Sequence, residues 1–256
     1  MNKINLKDCT FLIPFFYDHE DRLENLEFLI DYLNHHFDTN IFVGECCERS
    51  MLQNHPVSNK ISKYFYWFSE SDLFHRTKVL NLLCKEANTK IVVNQDTDVI
   101  FPKEAYTKAR DLIVNNIADI VYPYDGNFME MLRSKLSILK QTMDFFSIPK
   151  QELNCCHPNS KGGAVFENRE KFIDVGMENE HFRSWSFEDN ERWHRFHVLG
   201  LRVSRLENYL LHIEHWRGKN SNPHHEHYNL NLLEYNRIAN MSKENVLEEI
   251  KTWSWL

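Results

Sequence analysis

Glycine is scarce in this chain, seven in 256 residues, so the one place where two stand together, Gly162-Gly163, gains weight. There is no basic excess: the formal net charge is −7. That excludes a broad nucleic-acid footprint and leaves basic residues to act locally if they hold phosphates. No apolar run approaches the ~18 residues of a membrane-spanning helix, and Met1-Asn2-Lys3 leads straight into strand-like sequence. Neither a signal peptide nor an integral membrane segment is expected. No CxxC occurs among the six cysteines, and the adjacent pairs Cys46-Cys47 and Cys155-Cys156 are poor disulfide partners. Free thiols in a reducing, cytoplasmic compartment are expected; peripheral contact with the inner face of a membrane stays open. Without repeats, low-complexity tracts or Pro/Ser-rich linkers, one continuous domain is the simplest organisation.

What the chain does have is a 42% apolar content, enough for a packed core at this length. Strand and helix patterns alternate through the first half. Cys9 to Pro14 reads as a strand, Asp21 to Phe37 as an amphipathic helix, Ile41 to Val43 and Lys63 to Phe68 as strands. His75 to Ala87 is helical, Ile91 to Val93 a strand, Pro102 the opening of a helix, and Asp119 to Tyr122 a strand. Such alternation argues for an α/β fold with a mostly parallel, Rossmann-like central sheet and helices on both faces. In the second half, Phe128 to Phe146 reads as a helix and Pro149 to Asn159 as a loop. A strand follows Gly162-Gly163, then helices over 168–175 and 188–199 and strands over 201–204 and 209–212. Two C-terminal helices lie between Asn229 and Trp253.

The chemistry begins at Asp96-Thr97-Asp98, directly after the strand. Two carboxylates two residues apart at a buried strand's carboxyl end can clamp a hard divalent cation, at the edge where open α/β sheets bind ligands. A solvated acidic turn is the plain alternative. Glu188-Asp189 stands beside Trp185 and Phe187; desolvation against aromatics raises a carboxyl pKa, which suits a general base. The same pair also reads as the acidic first turn of a helix. If His212 ends a strand, His215 in the next turn points the same way. With Asp98 they form a donor set better suited to manganese than to calcium. His224, His225 and His227 read as a solvated loop or helix start. Arg76 and Lys78 open a helix where they can meet a diphosphate, or they form an ordinary exposed basic face. Asp96 is expected nearer a ribose or a metal-bound water.

Strand-DxD, GG, W-x-F-E-D and H-x-x-H, in that order, resemble the β-1,4-galactosyltransferase-like, inverting GT-A glycosyltransferases and their bacterial polysaccharide relatives. The resemblance runs from about Phe11 to Gly218. Ile13-Pro14-Phe15 with Arg22 is similar to the family's first uridine-diphosphate-binding segment, and Phe74 to Asn81 to its F-x-R-x-K-x-L-N signature. Gly162-Gly163 with Phe166, Arg169, Phe172 and Gly176 resembles its GG segment. Trp185 to Asp189 resembles its W-G-G-E-D, Gly200 to Arg205 its G-x-x-x-S-R, and His215-Trp216-Arg217 its terminal histidine. Three departures stand out. Phe16 replaces an arginine of many relatives, Ser186 and Phe187 replace glycines and predict a stiffer loop, and Asn159-Ser160-Lys161 stand where animal members carry a donor-selecting aromatic.

The resemblance implies a single GT-A domain with C-terminal helices. Residues 1–125 would form the nucleotide-sugar half, 126–220 the acceptor half and 221–256 a helical tail. It implies metal-dependent, inverting transfer of galactose or N-acetylgalactosamine from a UDP-sugar to a saccharide or glycoconjugate hydroxyl. Asp189 would be the base and Glu188 an acceptor contact. Asp98, His212 and His215 would hold Mn2+ or Mg2+. Pro14, Phe15 and Arg22 would lie near the uridine, Arg76 and Lys78 at the diphosphate, with Asp96, Gly163 and Trp185 also lining the donor site. A retaining GT-A transferase, or a non-catalytic carbohydrate-binding protein on the same fold, are the alternatives.

Overall fold

The computed structural model describes residues 2–256. β1 (Ile4–Phe15) is buried along most of its length, as a strand covered on both faces must be. α1 (Glu20–His36) buries Leu23, Leu26, Leu29, Ile30 and Leu33. Next come β2 (Phe37–Cys47), β3 (Lys63–Phe68), α2 (Arg76–Glu86), β4 (Ile91–Gln95) and the two-residue β5 (Val99–Ile100). Pro102 precedes α3 (Lys103–Val114), whose buried face packs on β1, β6 (Ile120–Tyr122) and a later strand. The second half holds β7 (Phe128–Met131), α4 (Leu136–Thr142), β8 (Asn154–His157), β9 (Ala164–Asn168) and α5 (Arg169–Asp174). It ends with α6 (Glu188–Val198), β10 (Val203–Arg205), β11 (Leu210–Ile213), α7 (Tyr228–Ala239) and α8 (Lys243–Lys251).

The central sheet has the order β10-β6-β9-β4-β1-β2-β3, parallel except that β9 runs antiparallel between β4 and β6. A second sheet, β5-β11-β7-β8, was not foreseen from the sequence. The Asp96–Asp98 turn is the seam between them, leaving β4 of the large sheet and entering β5 of the small one.

Two expectations fail in the same stretch. Phe128 to Phe146 is not one helix, because Phe128-Met129-Glu130-Met131 alternates half-buried and buried residues and pairs as β7; the helix is confined to α4. Pro149 to Asn159 is not simply a loop, since β8 lies within it, paired with β7. β8 is an exposed edge strand held by main-chain bonds, so it has no apolar alternation to read.

The tail follows the sequence closely. Ser242 accepts from the Asn245 amide to cap α8, and Ile238, Val246, Ile250 and Trp253 form a small core of their own. All six cysteines are free. Among the described residues, no helix is long and apolar enough to cross a membrane.

Candidate active site

At the carboxyl end of β4 the site is built around two glycines. The Asp96 amide donates to Gly163 O at 2.8 Å, so the β4–β9 ladder continues one step into the acidic turn. Gly163 sits at φ +88°, and a Cβ there would overlap Leu210. A Cβ at Gly162 would overlap Asp189 Oδ2. The positive φ itself favours glycine at Gly163, and the missing Cβ at Gly162 leaves room for the Asp189 carboxylate.

A cleft of about 380 Å³ opens at this point. On one side of it, Asp98 Oδ2 lies 3.0 Å from His215 Nε2 and 3.8 Å from His212 Nε2. One ligand atom from each of the three, all buried, falls within 4.8 Å of the others. An oxygen and two imidazole nitrogens at this spacing fit a manganese-like ion. Burial alone would raise the Asp98 pKa, but the hydrogen bond from His215, the two histidines and Arg22 outweigh it and hold the carboxyl well below its usual range. Arg22 Nη1 is 3.5 Å from Asp98 Oδ2, and its Nε donates to Asp18 at 2.9 Å. β11 pairs with β7 so that His212 stands opposite Glu130.

Arg76 approaches from the start of α2. Its Nε and Nη2 donate to Asp96 Oδ1 at 3.0 and 2.8 Å, and its Nη1 lies 3.7 Å from Asp189 Oδ1. Asp96 is thus engaged by a guanidinium. Lys78 does not join it: residues two apart on a helix face different sides, and Lys78 is exposed outside the cleft. Strand alternation separates Pro14 from Phe15 in the same way. Pro14 lines the cleft, whereas the Phe15 side chain is 1% exposed in the core. Phe16 instead packs against Phe74, ring centroids 5.4 Å apart.

The opposite wall carries Glu188 and Asp189, the first residues of α6. Arg192, one helical turn on and 1% exposed at its side chain, donates to Asp189 Oδ1 at 2.7 Å and also pairs with buried Glu178. Burial first, then the Asp189 charge, pushes Glu188 up to about 8. Its Oε2 is buried without a partner. The preceding loop takes the glycine-like backbone its sequence lacks, with φ +103° at Ser186 and +71° at Phe187. Such residues cost about 1–3 kcal/mol each and persist where surroundings hold them. Here Asn231 donates to Arg183 O and Ser186 O, His225 Nε2 bonds Trp185 O at 2.8 Å, and Phe187 stacks on Tyr235. Buried His225 is therefore a structural clamp, not part of a solvated loop.

The structure brings Pro14, Arg22, Arg76, Asp96 and Asp98 to this cleft together with Gly163, Trp185, Glu188, Asp189, His212 and His215; it leaves out Lys78 and the Phe15 side chain. Two participants escaped the sequence reading. Glu130 lay inside the supposed helix, and its alternating neighbours were the signal. Arg192 follows Asp189 at i+3, a spacing that places both on one helix face.

No protein-family model matches the chain, and no curated protein matches it by sequence. Solved structures do match. S. aureus TarS, residues 1–349 in complex with UDP-GlcNAc, is 15% identical over 95% of this chain and 71% of that one, at a TM-score of 0.57. GalNAc-T7, solved with UDP, GalNAc and Mn2+, is 13% identical over 93% of this chain and 49% of that one, at 0.59. The catalytic domain of Drosophila β1,4-galactosyltransferase 7, in complex with xylobiose, is 16% identical at a TM-score of 0.43, and the chain spans 63% of its length. The fold is the GT-A fold of the glycosyltransferases. At these identities the likeness is one of fold.

Proposed function

We propose that this protein is a metal-dependent, inverting glycosyltransferase that moves galactose or N-acetylgalactosamine from a UDP-sugar to a saccharide hydroxyl. The observation that carries the reading is the convergence on one cleft of Asp98, His212 and His215 with the paired carboxylates Glu188 and Asp189. Residues 1–125 would supply the nucleotide-sugar half and residues 126–220 the acceptor half.

Asp98 offers a carboxylate oxygen, and His212 and His215 imidazole nitrogens, to Mn2+ or Mg2+. Bound there, the ion supplies Lewis-acid charge to the leaving diphosphate. Arg76 and Arg22 add guanidinium charge beside it. Pro14 borders the nucleotide end of the cleft. Arg76 and Arg192 both face Asp189. Asp189 takes the acceptor proton as the hydroxyl attacks the anomeric carbon from the face opposite the diphosphate, and configuration inverts. Glu188 keeps its proton and donates a hydrogen bond to the acceptor; two adjacent carboxyls thus take two roles from two environments.

The test is a panel of UDP-sugars assayed for turnover with and without Mn2+, followed by NMR of the product. Metal-dependent consumption of one donor with inverted anomeric configuration is the expected result. A product that retains the donor's configuration removes Asp189 from this role.

A further inference from the structure

Four cations line the cleft: Arg22, Arg76, Arg217 and Lys161. Arg22 is engaged by Asp18 and Asp98, Arg76 by Asp96 and Asp189, and Arg217 by Glu130. Lys161 is different. Among the described residues it forms no ion pair, and its ammonium reaches only the neutral Asn190 Oδ1 at 3.2 Å.

The loop that carries Lys161 is fixed on every side. Ser160 N donates to Gly126 O at 2.9 Å, and Tyr124 OH donates to Gly162 O at 2.6 Å. Arg205 Nη2 donates to Ser160 O at 2.8 Å. The Arg205 guanidinium itself lies over Trp193, 4.5 Å from the ring centroid, with Nη1 buried and unpartnered. A second cation without a carboxylate therefore sits under the loop. Burial, then the Arg205 charge, lowers the Lys161 pKa against a smaller opposing pull from the Asp189 carboxylate, which lies beyond ion-pair distance. A half-buried ammonium beside a guanidinium is an electrostatic cost within the fold, and an anion arriving in the cleft would offset it. The place is defined as well. Lys161 directly precedes Gly162, where the space a Cβ would take is filled by Asp189 Oδ2.

We propose that Lys161 receives an anionic substituent, a carboxylate or phosphate, on a sugar bound beside Asp189. This rests on the glycosyl-transfer reading above and narrows its substrate class to acidic saccharides. The anion has two sources, the acceptor or a donor sugar that is acidic in place of galactose or N-acetylgalactosamine, and both present the same chemistry to the ammonium.

Calorimetry with Mn2+ present separates them. In the donor arm UDP-glucuronic acid is compared with UDP-glucose. In the acceptor arm, with UDP bound, methyl glucuronide and galactose 6-phosphate are compared with methyl glucoside and galactose. The expected result is a preference of about tenfold for the charged member in one arm, as a single charge-assisted contact gives. That preference vanishes in Lys161→Met, reverses in Lys161→Glu and returns in Lys161→Arg, while UDP affinity stays unchanged and the melting temperature does not fall. Equal binding of charged and neutral members in both arms, with UDP still bound, overturns the proposal and leaves the glycosyltransferase reading standing. A preference that survives Lys161→Met also overturns it. Failure of the unmodified protein to bind UDP with Mn2+ overturns both.

Discussion

Glu130 Oε1 stands 3.3 Å from His212 Nδ1, on the side of the imidazole away from Asp98. The two residues face each other across the parallel β7–β11 pair. The facing His212, helped by Arg217 against the effect of burial, draws the Glu130 pKa down to about 2. A carboxylate on that side favours the tautomer with its proton on Nδ1, which leaves Nε2 toward Asp98 free to bind a metal. Glu130→Gln should weaken Mn2+ binding by about 10–100-fold. A manganese titration that shifts by less than twofold would reduce Glu130 to a surface partner of Arg217.

Asp98→Ala removes the one carboxylate of the triad. Mn2+-supported UDP binding should disappear, with far-UV circular dichroism unchanged. Unaltered UDP affinity by calorimetry in the presence of Mn2+ would place the ion elsewhere.

Arg76 and Lys78 separate cleanly. Arg76→Ala should weaken UDP binding by roughly ten- to a hundredfold, the range of one lost charge-assisted contact. Lys78→Ala, on the exposed side of α2, should leave the UDP dissociation constant within about twofold. Equal losses in the two variants would contradict the placement of Lys78 outside the cleft.

Asp189→Asn keeps the shape but loses the proton acceptor, so turnover should fall by about 10²–10⁴ with donor affinity unchanged. Glu188 sets the pH dependence. Its raised value, about 8, means acceptor binding that relies on its proton weakens as pH rises through that region. Glu188→Gln cannot ionise and should flatten the alkaline side of the acceptor KM profile. A variant whose acceptor KM still rises with the same midpoint assigns that ionisation to another group.

Glu167 bears on stability. It lies in β9 opposite Val92 and Ile120, both oxygens buried without a partner, and burial pushes its pKa well above 4.5. The unfolded chain releases this proton near pH 4.5 while the folded chain keeps it. Its contribution to stability is therefore complete below about pH 4.5 and declines as pH rises toward the folded value. Glu167→Gln should melt at least about 2 °C higher than the unmodified protein at pH 8, with the gap narrowing toward pH 5. A variant that melts lower by the same amount at both values would show that the carboxylate is wanted ionised.

The first half of the fold was legible because its signals are local. Buried apolar runs became β1 and β4, and helical spacing became α1 and α2. The fit is closest at Lys63–Phe68, where strand and expectation coincide. The small sheet was not legible, because β8 gains its place from main-chain pairing and β5 is two residues long. The cleft residues could be read from motif order, yet orientation within each motif could not. Phe15 and Lys78 are expected at the uridine and the diphosphate beside residues that do face the cleft, and side-chain direction keeps both out of it. Glu130 depended on knowing that β7 lies beside β11, a long-range pairing that no local spacing reports.

The seam at Asp96–Asp98 has a dynamic consequence. Asp98 leads into β5, His212 is in β11, His215 follows it, and Glu130 is in β7, so the three candidate metal ligands and the carboxylate beside them belong to the small sheet. Arg76 and Asp96 belong with α2 and the large one. Ile213 N donates to Asp98 O at 2.8 Å, so the main chain already joins two of the ligand-bearing segments. An ion held there favours only conformations with these segments in register, and a bound ligand adds its free energy to such conformations. Amide exchange in β5, β7 and β11 should slow on Mn2+ addition well before that of β1 and β4, making the small sheet a cooperative unit whose opening the metal governs.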